Sequence, residues 1–269
     1  MPKNRKSDKR TNVSKEVTWK VETLRWTTFL MDNAEPAGIQ EWWSKVAGVP
    51  KSDQLQRQSF IYEEIGTIGK NYLTLQWQPG RVDWLFNIKI VEQATMENLN
   101  AQVVTLDRFD TVDVAQENFK EIIARWFKLV NVPAKRLAMG HVLLSPAPSK
   151  EAAYNALVPF LKKSVNVVPE MSDLLFQVNR PRNSKLVKGI EINRLSKWMV
   201  AQVNPYLIKI NPEQFTRQIG NDAIAIRLEL DLSTILKPTG AALKRPNQIA
   251  LFGEFSQLSD ELCRNGDLP

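Results

Sequence analysis

Apolar and polar positions alternate along the first stretch of the chain, with one change of phase. Val17, Trp19 and Val21 share one parity, and Leu24, Trp26, Thr28 and Leu30 share the other. Strand side chains point to opposite faces in turn, so a slip of one residue marks a β-bulge in a long strand over 17–30. After Glu35-Pro36, Ile39, Trp42, Trp43 and Val46 recur at helical spacing, and Gly48-Val49-Pro50 stops the helix. Strands are predicted at 60–65 and 72–78, followed by a Pro79-Gly80 turn. Val82, Trp84, Phe86, Ile88 and Ile90 alternate as a further strand, and 103–106 as another. Asp110 or Asp113 is positioned to cap the next helix. Its wide apolar stripe runs from Ala115 through Phe119, Ile122, Ile123, Trp126 and Phe127 to Val130, and Asn131-Val132-Pro133 ends it.

The pattern then starts again. Residues 137–144 are apolar on both faces of a strand. Ser149 is a cap for a helix bearing Tyr154, Leu157, Val158 and Leu161, which Pro159 kinks or shortens. Leu174, Phe176 and Val178 mark a strand. Ile190 and Ile192 begin the next, interrupted by a polar turn at 193–197 before 198–203. Ile224, Ile226, Leu228, Leu230 and Leu232 alternate with Arg227, Glu229 and Asp231, and a last helix carries Ile249, Phe252, Phe255, Leu258 and Leu262.

Strand, helix, several strands, helix therefore occurs twice. The expected fold class is α+β: two similar halves, each with an antiparallel sheet and helices packed on it. The expected division is a disordered basic tail at 1–15, a first half at 16–133 and a second at 134–269. In each half an arginine-bearing turn leads to a tryptophan that opens an apolar strand: Arg81 to Trp84, and Arg194 to Trp198.

Charge sharpens this picture. The formal net charge is +7 over 269 residues. Six lysines and arginines against Asp8 crowd the first 15 residues. Arg180, Arg182, Lys185, Lys188, Arg194 and Lys197 against Glu191 form a second cluster, leaving the remainder mildly acidic. The second cluster predicts a basic hairpin able to contact phosphates or other anions. No run approaches the length of a membrane span, and the polar start carries no secretory pattern. One cysteine, Cys263, allows no internal disulfide, so a cytoplasmic setting is expected.

The run Ile122-Ile123-Ala124-Arg125-Trp126-Phe127 before a strand, and Arg227-Leu228-Glu229-Leu230-Asp231-Leu232 before the final helix, resemble a sporadically distributed family of uncharacterised bacterial proteins of about this length. The resemblance covers most of 17–265. It implies the tandem α+β arrangement and a mobile or defence-associated neighbourhood, and it brings no catalytic residues.

Chemistry is sparse. His141 is the single histidine and lies in an apolar strand, which reads as a core position. Asp107, Asp110 and Asp113 lie where a strand hands over to a helix, and capping explains them without a metal. Phosphate-loop, dinucleotide and serine-elbow motifs do not occur. Glu63, Glu64, Asp83, Glu229 and Asp231 lie on strands, where alternation places most of them toward solvent. No cofactor and no catalytic role are expected. Trp42 and Trp43 are adjacent on a short helix, so their side chains diverge by roughly 100°; one of them is expected at a protein interface. These features predict a non-catalytic binding or scaffolding subunit of a bacterial or phage-related complex. Its partner is another protein or a further copy of the chain. The alternative is a sequence-tolerant DNA- or RNA-binding accessory protein using the tail and the 180–197 hairpin.

Overall fold

The structure is a computed structural model, and it describes residues 17–88, 109–161, 164–168, 171–203, 206–211, 214–219, 223–235 and 241–267. The expected tail at 1–15, the strand at 103–106 and Asp107 lie outside these residues. Strand β1 (Lys20–Leu30) is followed by a single 3₁₀ turn (Ile39–Glu41) and helix α1 (Trp42–Val46). Strands β2 (Gln54–Gln58), β3 (Ile61–Ile68), β4 (Asn71–Gln78) and β5 (Arg81–Ile88) then form a meander that leads to helix α2 (Val112–Leu129). The chain continues through β6 (Ala134–Ala147), α3 (Lys150–Leu161), β7 (Leu175–Asn179), the two-residue β8 (Arg182–Asn183) and β9 (Glu191–Val203). A separate pair, β10 (Tyr206–Asn211) and β11 (Gln214–Ile219), precedes β12 (Ala223–Thr234) and α4 (Arg245–Asn265).

All the other strands join one ten-stranded sheet in the order β2-β3-β4-β5-β1-β6-β12-β9-β7, with β8 paired to β9. Every pairing is antiparallel. The fold is thus α+β and dominated by its sheet. The opening strand β1 pairs with the closing strand β5, and β6 pairs with β12 in the same manner. β1 and β6 then pair with each other at the centre. The phase change in the first strand is a register shift between Val21 and Thr23 against β6.

One face of the sheet carries the core. Trp26 stands opposite Trp84 on β5 and Met139 on β6, and Met139 stands opposite Leu232 on β12. Residues opposite one another share a face, so the helix contacts of these side chains locate the helices. The Trp26 ring meets Phe127 of α2 and Phe252 and Phe255 of α4 at centroid distances of 5.2–6.2 Å. Trp198 stacks on Phe160 of α3 at 5.5 Å. All eight tryptophans are buried, at 7% exposure or less.

That burial corrects the interface expectation for Trp42 and Trp43. Trp42 packs edge-on against Trp126 at 5.0 Å, and Trp43 lies beside Trp84 at 6.4 Å. α1 touches both the sheet and α2, so both rings find cover despite their divergence. The polar turn expected at 193–197 is also absent, because β9 runs unbroken through it. Arg194 and Ser196 face the helix side there, and the Trp198 indole donates to Ser196 Oγ at 3.1 Å. α2 takes Thr111 rather than an aspartate at its N-cap. Asp110 instead accepts from Asn71 Nδ2 at 2.9 Å and pairs with Lys70 Nζ at 2.6 Å. Ser149 does cap α3, accepting the Ala152 N–H at 3.1 Å. Among the described residues no helix is long and apolar enough to cross a membrane.

Candidate binding site on the open face of the sheet

On the face away from the helices, side chains form rows across the central strands. Arg25 of β1 stands opposite Gly140 of β6, and Gly140 stands opposite Asp231 of β12. Because Gly140 has no side chain, Arg25 lies directly over it: a Cβ there would sit 3.1 Å from Arg25 Nη2. The same guanidinium comes within 3.5 Å of Asp231 Oδ2. One row along, Glu229 stands between Val142 and Lys197, and Lys197 Nζ lies 3.3 Å from Glu229 Oε2. In the other direction Ala138 lies between Thr27 and Ser233. The small side of β6, Ala138 and Gly140, therefore runs between taller polar and charged neighbours. A hollow of about 340 Å³ results, with Arg25, Gly140, Lys197, Glu229 and Asp231 among its walls and Leu85 and Leu195 as apolar patches.

The charges of this face are paired among themselves. Arg227 donates to Glu229 Oε1 at 2.7 Å and also to Glu22. Burial pushes the Glu229 carboxyl up, but Arg227 and Lys197 outweigh it and hold it below the usual range, so it stays ionised. Asp83 is buried under its own row: Thr27 Oγ1 donates to it at 2.5 Å and Arg81 Nη2 at 2.9 Å. Phe29 lies between the guanidinium carbons of Arg81 and Arg136, at 5.7 and 5.0 Å from its ring centre. Asp83 and Glu64, expected toward solvent, are 1% and 6% exposed. Glu64 is covered because β3 places it on the helix side, where Tyr62 and Ser52 donate to it.

The six basic residues expected to form one anion-binding hairpin are dispersed. Arg180 donates to both oxygens of Asp267 at 2.7 Å. Arg182 donates to Glu254 Oε1 at 3.3 Å. Arg194 is 8% exposed on the helix side, where burial lowers its pKa. Lys197 belongs to the open face with Glu229. Lys185 and Lys188 are the members that stand exposed on the 184–189 loop. That loop is held to α4, since Glu254 accepts from Ser184 Oγ at 2.5 Å and from the Lys185 N–H at 3.0 Å.

The histidine and the cysteine are both buried. His141 is 3% exposed on the helix side, with Nδ1 2.6 Å from Ser259 Oγ. Burial first, and Asp260 second, push the Cys263 thiol up to about 12, where almost none is thiolate at neutral pH. No group of three metal-ligating side chains occurs among the described residues. A more open hollow of about 530 Å³ between α2 and α4 is lined by Asp113, Glu117, Glu121 and Asp260 against Lys120.

Arg25 and Gly140 escaped the sequence reading. The signal was present: a lone glycine inside an otherwise apolar strand marks a close approach. No family model matches the chain, and neither curated proteins nor solved structures yield a match. The fold and site define an α+β protein in which, among the described residues, helices cover one face of the sheet and paired charges occupy much of the other.

Proposed function

We propose that this protein is a non-catalytic binding or scaffolding subunit that holds a protein partner against the open face of its sheet. One observation carries the reading: on that face Arg25, Arg81, Arg136, Lys197 and Arg227 are interleaved with the accessible carboxylates of Glu22, Glu229 and Asp231. A face of mixed sign suits a polypeptide surface of complementary mixed charge. A phosphate backbone would meet carboxylates set among the cations, and the arginines at 180, 182 and 194 are engaged within the fold. The buried histidine and cysteine favour a binding role over catalysis. The repeated strand order, in which β1 closes on β5 and β6 on β12, supports two halves divided near residue 133. The sequence resemblance is the ground for a cytoplasmic bacterial or phage-related complex.

Light scattering after size exclusion, on purified protein and on tagged protein recovered from its host, tests this. Assembly lost in the double variant Arg136→Glu/Lys197→Glu, and kept in Lys185→Glu/Lys188→Glu, is the expected result. A monomer in both preparations overturns the reading. Binding to a random 20-base-pair duplex that falls steeply with salt, at about 0.9 log units per phosphate contacted, replaces it with the nucleic-acid alternative.

A further inference from the structure

At β2 the rim of the sheet lacks the usual defences against another strand. β2 ends the strand order and pairs with β3 alone among the described residues, so its outer main-chain groups face no strand there. Sheets commonly blunt such rims with lysine, proline or a bulge. β2 holds none of these: it reads Gln-Leu-Gln-Arg-Gln, and its register to β3 runs from Gln54–Ile65 to Gln58–Ile61 without a shift. Its one charge, Arg57, is met by Glu35 at 2.7 Å. All five residues are exposed, and the strand is of ordinary length.

Apolar surface gathers at the same rim. Phe60 and Leu55 are the most exposed large apolar side chains among the described residues, at 69% and 63%, and Ile61 is exposed beside them. Phe60 occupies the two-residue turn between β2 and β3, a place usually taken by glycine or polar residues. Leu55 stands opposite Glu64 of β3, with no strand beyond it among the described residues.

The strand is its own complement. Antiparallel pairing of two copies about a twofold axis at Leu55 sets Leu55 against Leu55, Gln54 against Gln56, and Arg57 against Asp53, the residue just before the strand. Asp53 is exposed, and its carboxylate accepts from the Thr67 N–H and Oγ1 at 2.8 Å. Apolar meets apolar, amide meets amide and cation meets anion, the pairs that stabilise neighbouring strands. An axis at Arg57 would oppose two arginines, and an axis at Gln56 would set Leu55 against Arg57. Symmetry supplies the match at Leu55 from a second copy, with no further sequence needed.

We propose that β2 pairs edge to edge with β2 of a second copy about a twofold axis at Leu55, joining two sheets into one. Main-chain hydrogen bonds hold the strands together. The two Leu55 side chains cover each other, and Phe60 comes to the 49–52 stretch of the other copy, where Pro50 is exposed. Two short strands make a small interface, so the dimer is reversible. The contact lies at the rim and does not rest on the protein-partner reading of the open face.

The test is sedimentation velocity on the purified full chain over a concentration series, where a monomer–dimer equilibrium is expected. Leu55→Lys sets two ammonium groups at the axis and should weaken the dimer at least tenfold. Leu175→Lys on β7, the opposite rim, should leave it unchanged. Leu55 is exposed, so the far-ultraviolet circular dichroism of the variant should match the parent. A cysteine trap checks the register. Leu55→Cys brings two thiols face to face and should give a disulfide-linked dimer under mild oxidation. Gln58→Cys should not, since its two copies lie roughly 20 Å apart in this register. The native Cys263 is buried and does not compete. A parent chain that stays monomeric throughout, a dimer that survives Leu55→Lys, or equal cross-linking at 55 and 58 overturns the proposal. Arg136→Glu/Lys197→Glu separates the two surfaces: it should release the partner recovered from the host and leave the dimer of the purified chain intact. Loss of that dimer in this variant assigns the contact to the open face and overturns the proposal as well.

Discussion

Arg180 clasps Asp267 with two hydrogen bonds of 2.7 Å, joining the turn before β8 to the second residue beyond the last helix. Ser164, beyond the end of α3, donates to the same carboxylate. Three distant stretches of chain thus close on one buried anion, 2% exposed.

Arg180, more than burial opposes it, holds the Asp267 carboxyl below its usual range. A depressed carboxylate stabilises the fold above its unfolded pKa of about 3.9 and loses that contribution as pH falls through the lower folded value. At pH 7, Asp267→Asn and Arg180→Gln are each expected to cost about 2 kcal/mol in urea unfolding. The double variant should cost little more than either single change. Full additivity would show that the two groups do not act as a pair.

Glu254 has the same office for the 184–189 loop. It is 2% exposed and collects Arg182, Ser184 and the Lys185 amide. Glu254→Ala should free the loop while leaving the sheet in place. Amide exchange at Ser184 and Lys185 is expected to quicken at least tenfold, with exchange in β12 unaltered.

Two glycines give opposite outcomes on replacement by alanine. A Cβ on Gly66 would lie 2.5 Å from Trp43 Cζ2, and Trp43 is 1% exposed with nowhere to retreat. Gly66→Ala should cost about 1–3 kcal/mol through overpacking. Gly253 lies within α4 with nothing in 4 Å of the added carbon. Gly253→Ala should stabilise by about 0.5–1 kcal/mol. Chemical denaturation of both variants checks the contrast.

The single histidine makes the acid side of the stability curve readable. Burial first, and the Lys120 charge second, push His141 down to about 3. Its unfolded value is about 6.5, so the unfolded chain binds the proton first. The His141 contribution is whole above pH 6.5 and falls by up to about 1.4 kcal/mol for each unit down to pH 3. In His141→Gln the slope of unfolding free energy between pH 6.5 and 5 should flatten; an unchanged slope there rules out the neutral buried ring.

How far the fold could be read from the sequence varied with burial. β5 and β12 were plain, because one face of each meets the core and the other does not. The bulge in β1 was plain for the same reason. β2 was invisible: all five of its residues are exposed, and Leu55 alone among them is apolar, too little to make an alternation. β9 looked broken because Arg194 and Ser196 take inward positions that alternation reserves for apolar side chains. The basic cluster at 180–197 was visible as a cluster, but its partners are remote. Asp267 is 87 residues from Arg180, and Glu254 is 72 from Arg182. Such pairing has no local signature; Gly140 marked a close approach in its strand, but not which arginine and aspartate on other strands flank it.

The join of β1 to β6 also governs how the chain must come together. β1 finds one neighbour in β5 soon after it emerges, yet its other edge stays bare until residues 134–147 arrive. β6 in turn stays bare on its far side until 223–234. A growing chain therefore carries an unpaired sheet edge at its centre for most of its synthesis. Such edges invite pairing with other chains, so the middle of this sheet, and not its rim, is where a nascent molecule is most in need of protection.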